Sequence, residues 1–241
     1  MTVALSTLKV SLCGVSPGDQ GIIQDSSFYS GIVARINSAM ASIAGGIRMP
    51  DGQISPPLPD LYDMDTVDTS ITNPYVALPA DYQRHVFMVS DSTGNELYPP
   101  PGGDYYSFAL FLRQATQKDL TQAGSVDRVC VKGSRLYYQG IPGSSKELTV
   151  HFYRAPVDMA DDSDLLDGLP DHLAQRLIDH YVAKEVFGAY VEDGDNSQAT
   201  GFKYHSARFY DAMTDLMDWI GIDAIPQYYG EGSAVDLGVC D

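Results

Sequence analysis

Two long helical stripes close a chain whose middle reads as strands, and this order of parts limits the fold more than any single motif. A β-textured segment ends at Thr149-Val150-His151-Phe152-Tyr153-Arg154-Ala155-Pro156. An acidic stretch from Ala155 to Asp167 follows. Leu169-Pro170 then opens a helical pattern, because proline's missing N–H costs nothing in a first turn. Leu173, Leu177, Ile178, Tyr181 and Val182 build one apolar stripe, continued by Val186, Phe187 and Tyr190. Asp193-Gly194-Asp195 interrupts it. A second stripe over about 196–220 carries Phe202, Phe209, Met213, Leu216 and Ile220, and Gly221 suits the left-handed residue that ends a helix. Residues 222–241, with Pro226 and three glycines, read as an extended tail.

Upstream the texture differs. Val3, Leu5, Leu8, Val10 and Leu12 form a short apolar alternation, and Ser16-Pro17-Gly18-Asp19 is turn chemistry. Asp25-Ser26-Ser27 is a helix-capping cluster ahead of Ile32, Ile36, Met40 and Ile43, so the spacing predicts a helix over 25–44 that Gly45-Gly46 ends. Residues 47–75 hold Pro50, Pro56, Pro57, Pro59 and Pro74 and predict a functional loop or an arm, without regular structure. Strands are expected at 85–89, 106–112 and 148–153, with a hairpin from Val129 to Tyr138 turning at Gly133-Ser134 and a short helical turn over Gln114–Ala123.

The formal net charge of −17 over 241 residues works against indiscriminate DNA gripping, which needs a Lys/Arg surface, and it keeps subunits soluble. No apolar run approaches the roughly 20 residues of a membrane span. Met1-Thr2-Val3-Ala4-Leu5 lacks a basic n-region, so no export is expected. Cys13, Cys130 and Cys240 are widely spaced and form no metal or disulfide pattern, which suits synthesis in a reducing cytoplasm. Cys130, between Val129 and Val131, reads as a small core residue.

The motifs that suggest chemistry fail on physical grounds. Gly14-Val15-Ser16-Pro17-Gly18 has the spacing of a nucleophile elbow, but the oxyanion hole needs an N–H after the serine and Pro17 has none. Asp193-Gly194-Asp195-Asn196-Ser197 starts like a calcium loop, yet its sixth and twelfth positions are Gln198 and Tyr204 rather than Gly and Glu. Asp195 reads as a helix N-cap. His172 and His180 stand eight residues apart, about 12 Å along a helix, too far to share a metal. Gly140-Ile141-Pro142-Gly143-Ser144-Ser145-Lys146 lacks P-loop spacing. Asp158, Asp161, Asp162, Asp164 and Asp167 form an acidic cluster, read as a solvated loop near the positive end of a helix. No catalytic, cofactor or metal residue is therefore expected.

Several stretches together resemble the head-to-tail adaptor proteins of tailed bacteriophages, the family that includes tail tubular protein A. They are Ala34-Arg35-Ile36-Asn37-Ser38-Ala39, then Val76-Ala77-Leu78-Pro79-Ala80-Asp81-Tyr82, then the Val129–Tyr138 hairpin leading to Pro142, then Leu148–Tyr153 running through Pro156 and the acidic loop to Leu169-Pro170. The resemblance covers about residues 25–220. It implies an α+β fold in which an N-terminal helix and two long C-terminal helices form a bundle, with an inserted antiparallel β domain and an extended C-terminal tail. The expected divisions are 1–75 for the first helix and Pro-rich loop, 76–156 for the β domain, 157–221 for the C-terminal helices and 222–241 for the tail.

The resemblance further implies a non-enzymatic virion structural protein at the head–tail interface. Members form twelve-membered rings below the portal protein, extend the channel for passing double-stranded DNA, and receive tail or nozzle proteins. With −17 per copy, such a channel repels DNA and lets it slide without specific binding. Ring closure needs head-to-tail contacts. Ile54, Leu58 and Leu61 in the apolar arm are expected at the neighbouring subunit, and Tyr228, Tyr229, Val235 and Leu237 at the portal. Two rival readings remain: a receptor- or carbohydrate-binding tail protein, suggested by 16 tyrosines, and a metal-assisted hydrolase using the cluster 158–167.

Overall fold

The structure is a computed structural model that describes residues 3–13, 31–114, 120, 122–192 and 199–221. The architecture is mixed α+β. The described residues form five α-helices and two antiparallel three-stranded sheets. They divide into two compact units, a helical one built from chain segments before Tyr62 and after Arg154, and a β unit spanning Tyr62–Arg154.

In the helical unit, α1 spans Leu5–Cys13 and α2 spans Ile32–Gly45. The helices α4 (Asp171–Glu192) and α5 (Ala199–Ile220) follow the β unit in the chain. The expected apolar alternation at the start is instead helical: Leu5, Leu8 and Leu12 are buried at helical spacing, while Val10 is 74% exposed. The capping cluster Asp25-Ser26-Ser27 lies outside the described residues. At the other end of α2, Gly46 takes φ 104°, and its N–H reaches the carbonyls of Ser42 and Ile43.

Helices α4 and α5 run antiparallel. Arg176 meets Asp215 at 2.5 Å, the Tyr181 and Phe209 rings lie 5.3 Å apart, and Gly188 faces Phe202. Leu173, Leu177, Val182, Val186, Phe209, Met213 and Leu216 join Ile36, Met40 and Ile43 of α2 in one core. Each such side chain is worth about 1.5–3 kcal/mol relative to exposure. Gly221 at φ 73° ends α5, its N–H bonded to the Met217 carbonyl.

The β unit has its own core. One sheet has the order β1 (Tyr62–Asp68), β6 (Glu147–Arg154), β3 (Tyr82–Asp91). The other has β2 (Tyr75–Ala77), β5 (Arg135–Tyr138), β4 (Val129–Lys132). Val86, Val89, Leu148, Val150 and Phe152 pack with Val129, Val131, Leu136 and Tyr138. The β4–β5 hairpin turns at Gly133-Ser134, where Gly133 has φ 60°.

Two stretches in the middle of the chain also differ from the sequence expectation. Residues 47–75 were expected to lack regular structure, but they hold a 3₁₀ turn at Pro59–Leu61 and the strand β1, whose partner is the last strand of the unit. The stretch Tyr106–Leu112 was expected as a strand, but Phe108–Gln114 is a helix, α3. Asp104 starts that helix by accepting from the Tyr106 N–H at 2.9 Å and the Ser107 hydroxyl at 2.7 Å. The helical turn expected over 114–123 falls largely outside the described residues.

Candidate functional site

In the helical unit, α2, α4 and α5 flank a groove of about 640 Å3, lined by Arg35, Lys184, Gly188, Glu192, Phe202 and Tyr210 among others. The small side of Gly188 lets Phe202 approach: an added Cβ would lie 3.3 Å from Phe202 Cε2. Lys184 is held internally, 3.2 Å from Glu185 Oε1 and 4.6 and 4.9 Å above the Tyr181 and Phe209 rings. Ser206, also on the groove, has a buried hydroxyl without a hydrogen-bond partner among the described residues. The lining is suited to contact, with apolar and charged groups interleaved.

The helix pair carries two buried polar features. His205, 2% exposed, stacks on Phe187 at 5.3 Å, and its Nδ1 lies 3.1 Å from Nδ1 of His180. Burial first, then the charges of His205, Arg176 and Arg208, push the His180 imidazole down to about 4, so it is neutral at pH 7. Asp179 is 8% exposed; its Oδ2 accepts from the Ser11 hydroxyl of α1, and Oδ1 has no partner. Gln175 Nε2 donates to the same Ser11 oxygen at 2.7 Å. Burial pushes the Asp179 carboxyl up to about 6, against the smaller downward pull of Ser11 and Gln175.

In the β unit, the outer face of the β1-β6-β3 sheet carries an aromatic row. Tyr62 lies 5.7 Å from Phe87 and 6.0 Å from the His151 ring, and Phe87 lies 5.6 Å from Tyr153. The Tyr62 hydroxyl is 2.8 Å from His151 Nδ1. On β3 a register shift between Arg84 and Met88 coincides with His85 at φ 51°, a conformation that non-glycine residues seldom take. The Tyr106 hydroxyl accepts the Val86 N–H beside it.

Among the described residues, those singled out in the sequence are not brought together. Ile54 is 57% exposed on a tight turn in which Arg48 pairs with Ile54, whereas Leu58 and Leu61 are each 1% exposed in the core of their own unit. Tyr228, Tyr229, Val235 and Leu237 lie outside the described residues, as do Ser16 and Asp195. The acidic loop uses its carboxylates locally. Asp164 Oδ2 accepts from the N–H groups of Ala160 and Asp161 at 2.7 and 2.8 Å, which lowers its pKa. Asp167 holds the Val157 N–H, and Asp162 pairs with Lys9 of α1 at 2.5 Å. Among the described residues no group of three or more His, Cys, Asp or Glu is placed to hold a metal ion. Cys130 is fully buried, and burial pushes its thiol up to about 12. The His180–His205 pair, the Asp179 knot and the aromatic row were missed, because each joins residues distant in sequence.

The described helices include none long and apolar enough to cross a membrane. Compared with known families, the chain matches the family described as SU10 adaptor protein over residues 17–230. No curated protein matches it.

Proposed function

Because the chain belongs to the SU10 adaptor protein family, a family of phage adaptors, we propose that it assembles into a closed ring of about twelve copies beneath a portal protein, extends the channel for double-stranded DNA, and offers tail proteins their platform. The observation that carries this reading is the family match itself, which runs through both the helical and the β unit. The chemistry of the chain supports it. A wall with −17 per copy gives DNA no phosphate-binding surface and allows sliding. Three carboxylates of the acidic loop, Asp162, Asp164 and Asp167, hold Lys9 and nearby backbone N–H groups, and no metal-ligand group forms among the described residues, which does not favour the hydrolase reading.

Within the ring, the helical unit acts as a bundle and the β unit as its insertion. Ile54, presented on its turn, meets the neighbouring subunit, with Leu58 and Leu61 anchoring the same segment. Tyr228, Tyr229, Val235 and Leu237 of the tail dock on the portal. The protein's place is the virion, at the junction of head and tail, and its role is structural. The test is mass photometry and negative-stain imaging of the purified chain, alone and mixed with its portal. Rings of about a dozen copies that form or stack on the portal are expected. A persistent monomer or trimer that ignores the portal overturns the proposal and favours a receptor-binding protein.

A further inference from the structure

Strand β1 is the edge of its sheet. It is paired along one side to β6, from Tyr62 opposite Tyr153 to Asp68 opposite Glu147. In an antiparallel ladder, alternate residues aim their N–H and C=O groups to opposite sides. The N–H groups of Met64 and Thr66 go to neither strand: they donate to the carboxylates just before them, Asp63 Oδ1 at 2.8 Å and Asp65 Oδ1 at 2.7 Å. Among the described residues these two therefore present the open edge, and side chains of the same strand occupy its donors. Side chains alternate about the pleat, so Tyr62, Met64 and Thr66 share one face and Asp63, Asp65 and Val67 the other. On the first face, Met64 is 60% and Tyr62 46% exposed, and Tyr62 is backed by Phe87 and His151.

We propose that the β1 edge accepts an extended partner segment that alternates basic and apolar residues, adding it as a fourth strand. Charge complementarity selects this occupant. Asp63, Asp65 and Asp68 stand along a strand that holds no Lys or Arg, and among the described residues only Asp63 of the three forms an ion pair, 3.7 Å from Arg154 Nε of β6. The incoming backbone carbonyls take the N–H groups of Met64 and Thr66 as the carboxylates release them. The freed carboxylates turn to the incoming Lys or Arg side chains, so the exchange trades a local bond for a charge-assisted one. On the opposite face, Tyr62 and Met64 cover the apolar residues of the added strand, and the main-chain ladder supplies affinity. A second copy of this chain is the wrong occupant of this edge. Pairing β1 with β1 sets Asp63 and Asp65 against their counterparts, and like charges across a strand pair are destabilising. The same carboxylates thus suppress edge-to-edge association of the protein with itself.

The probe is a fluorescein-labelled heptapeptide alternating lysine and valine, titrated by anisotropy with the full chain at low and moderate salt. Saturable binding that weakens with salt is expected, and it is lost for the matching glutamate–valine peptide. Two further lysine–valine peptides carry N-methyl groups on alternate amides in opposite registers. One binds about tenfold more weakly because its ladder bonds are blocked, and the other keeps its affinity. The D63N/D65N double variant also binds more weakly. Equal binding by both methylated peptides means a loose charge contact and overturns the proposal. So does absence of saturable binding by the unmodified peptide. Should the double variant be misfolded by circular dichroism, the methylated pair on the wild-type chain decides alone.

Discussion

Replacing Asp179 with asparagine is expected to stabilise the protein at neutral pH and to leave it unchanged at pH 4. Asp179 sits on α4 against α1, 8% exposed, with one carboxylate oxygen bonded by Ser11 and the other without a partner. Its pKa rises from 3.8 to about 6 on folding, chiefly through burial. The folded state thus binds the proton more tightly than the unfolded chain. Stability is highest below the unfolded pKa near 4, falls as pH rises through about 6, and is level above that. A shift of about two units, at about 1.4 kcal/mol per unit, puts the cost of the ionised form at pH 7 near 3 kcal/mol. Asparagine removes that cost and keeps an oxygen for the Ser11 hydroxyl, whose bond to the carboxylate is already counted in the shift. The net gain is about 3 kcal/mol at pH 7, or a rise in Tm of roughly 6–12 °C for a chain of this size. Urea titrations from pH 4 to pH 8 read it, using helical circular dichroism and the fluorescence of Trp219, the single tryptophan. The difference between wild type and D179N isolates Asp179 from the other carboxylates that titrate in the same range. A pH-independent difference, or a variant less stable than wild type at pH 7, would refute the reasoning and mean that the ionised carboxylate is satisfied in the fold.

Three other outcomes follow from the same structure. Gly168→Ala forces a side chain onto φ 79° and sets its Cβ 2.6 Å from Leu61 Cγ, so a loss of about 2–4 kcal/mol is expected; Gly94→Ala, at φ 83° but in open space, costs about 1 kcal/mol, and equal losses in urea melts contradict the clash. His180, with its pKa lowered to about 4, stays neutral down to pH 5, and its stabilising contribution is full above 6.5 and declines as pH falls through the window from 6.5 to 4; an imidazole NMR titration midpoint near 6.5 refutes its burial against His205. Deleting residues 222–241 abolishes portal docking in a pull-down while helical circular dichroism is retained, and unchanged docking removes the tail from the interface.

The parts of the fold that were legible from sequence are those with a strong local period. The stripes from Leu173 to Tyr190 and from Phe202 to Ile220 lie within α4 and α5, and the Val129–Tyr138 hairpin is announced by Gly133-Ser134. Strand β1 was hidden because Tyr62-Asp63-Met64-Asp65-Thr66-Val67-Asp68 carries no buried face of its own: its residues are exposed or half-buried, and pairing to β6 across the whole unit makes it a strand. Helix α3 was misread because an aromatic run has no decisive period, and the Asp104–Ser107 turn that starts it acts through hydrogen bonds rather than hydrophobicity. The candidate surfaces were the least legible. His180 and His205 stand on different helices, and Ser11 and Asp179 lie 168 residues apart. Local spacing carries no trace of such meetings.

The division of the helical unit between the two ends of the chain has a consequence in time. A ribosome completes the described strands of the β unit when it adds Arg154, since β6 is the middle strand of its sheet and closes it. Helices α1 and α2 are made earlier, but the faces of Leu5, Leu8, Ile36 and Ile43 are covered largely by α4, which is made after the β unit. At about 5–20 residues per second, those faces wait for several seconds after the β unit can fold. Each copy therefore passes through a stage with a finished sheet pair and an uncovered helical core, and crowding of nascent chains on one message is most hazardous at that stage.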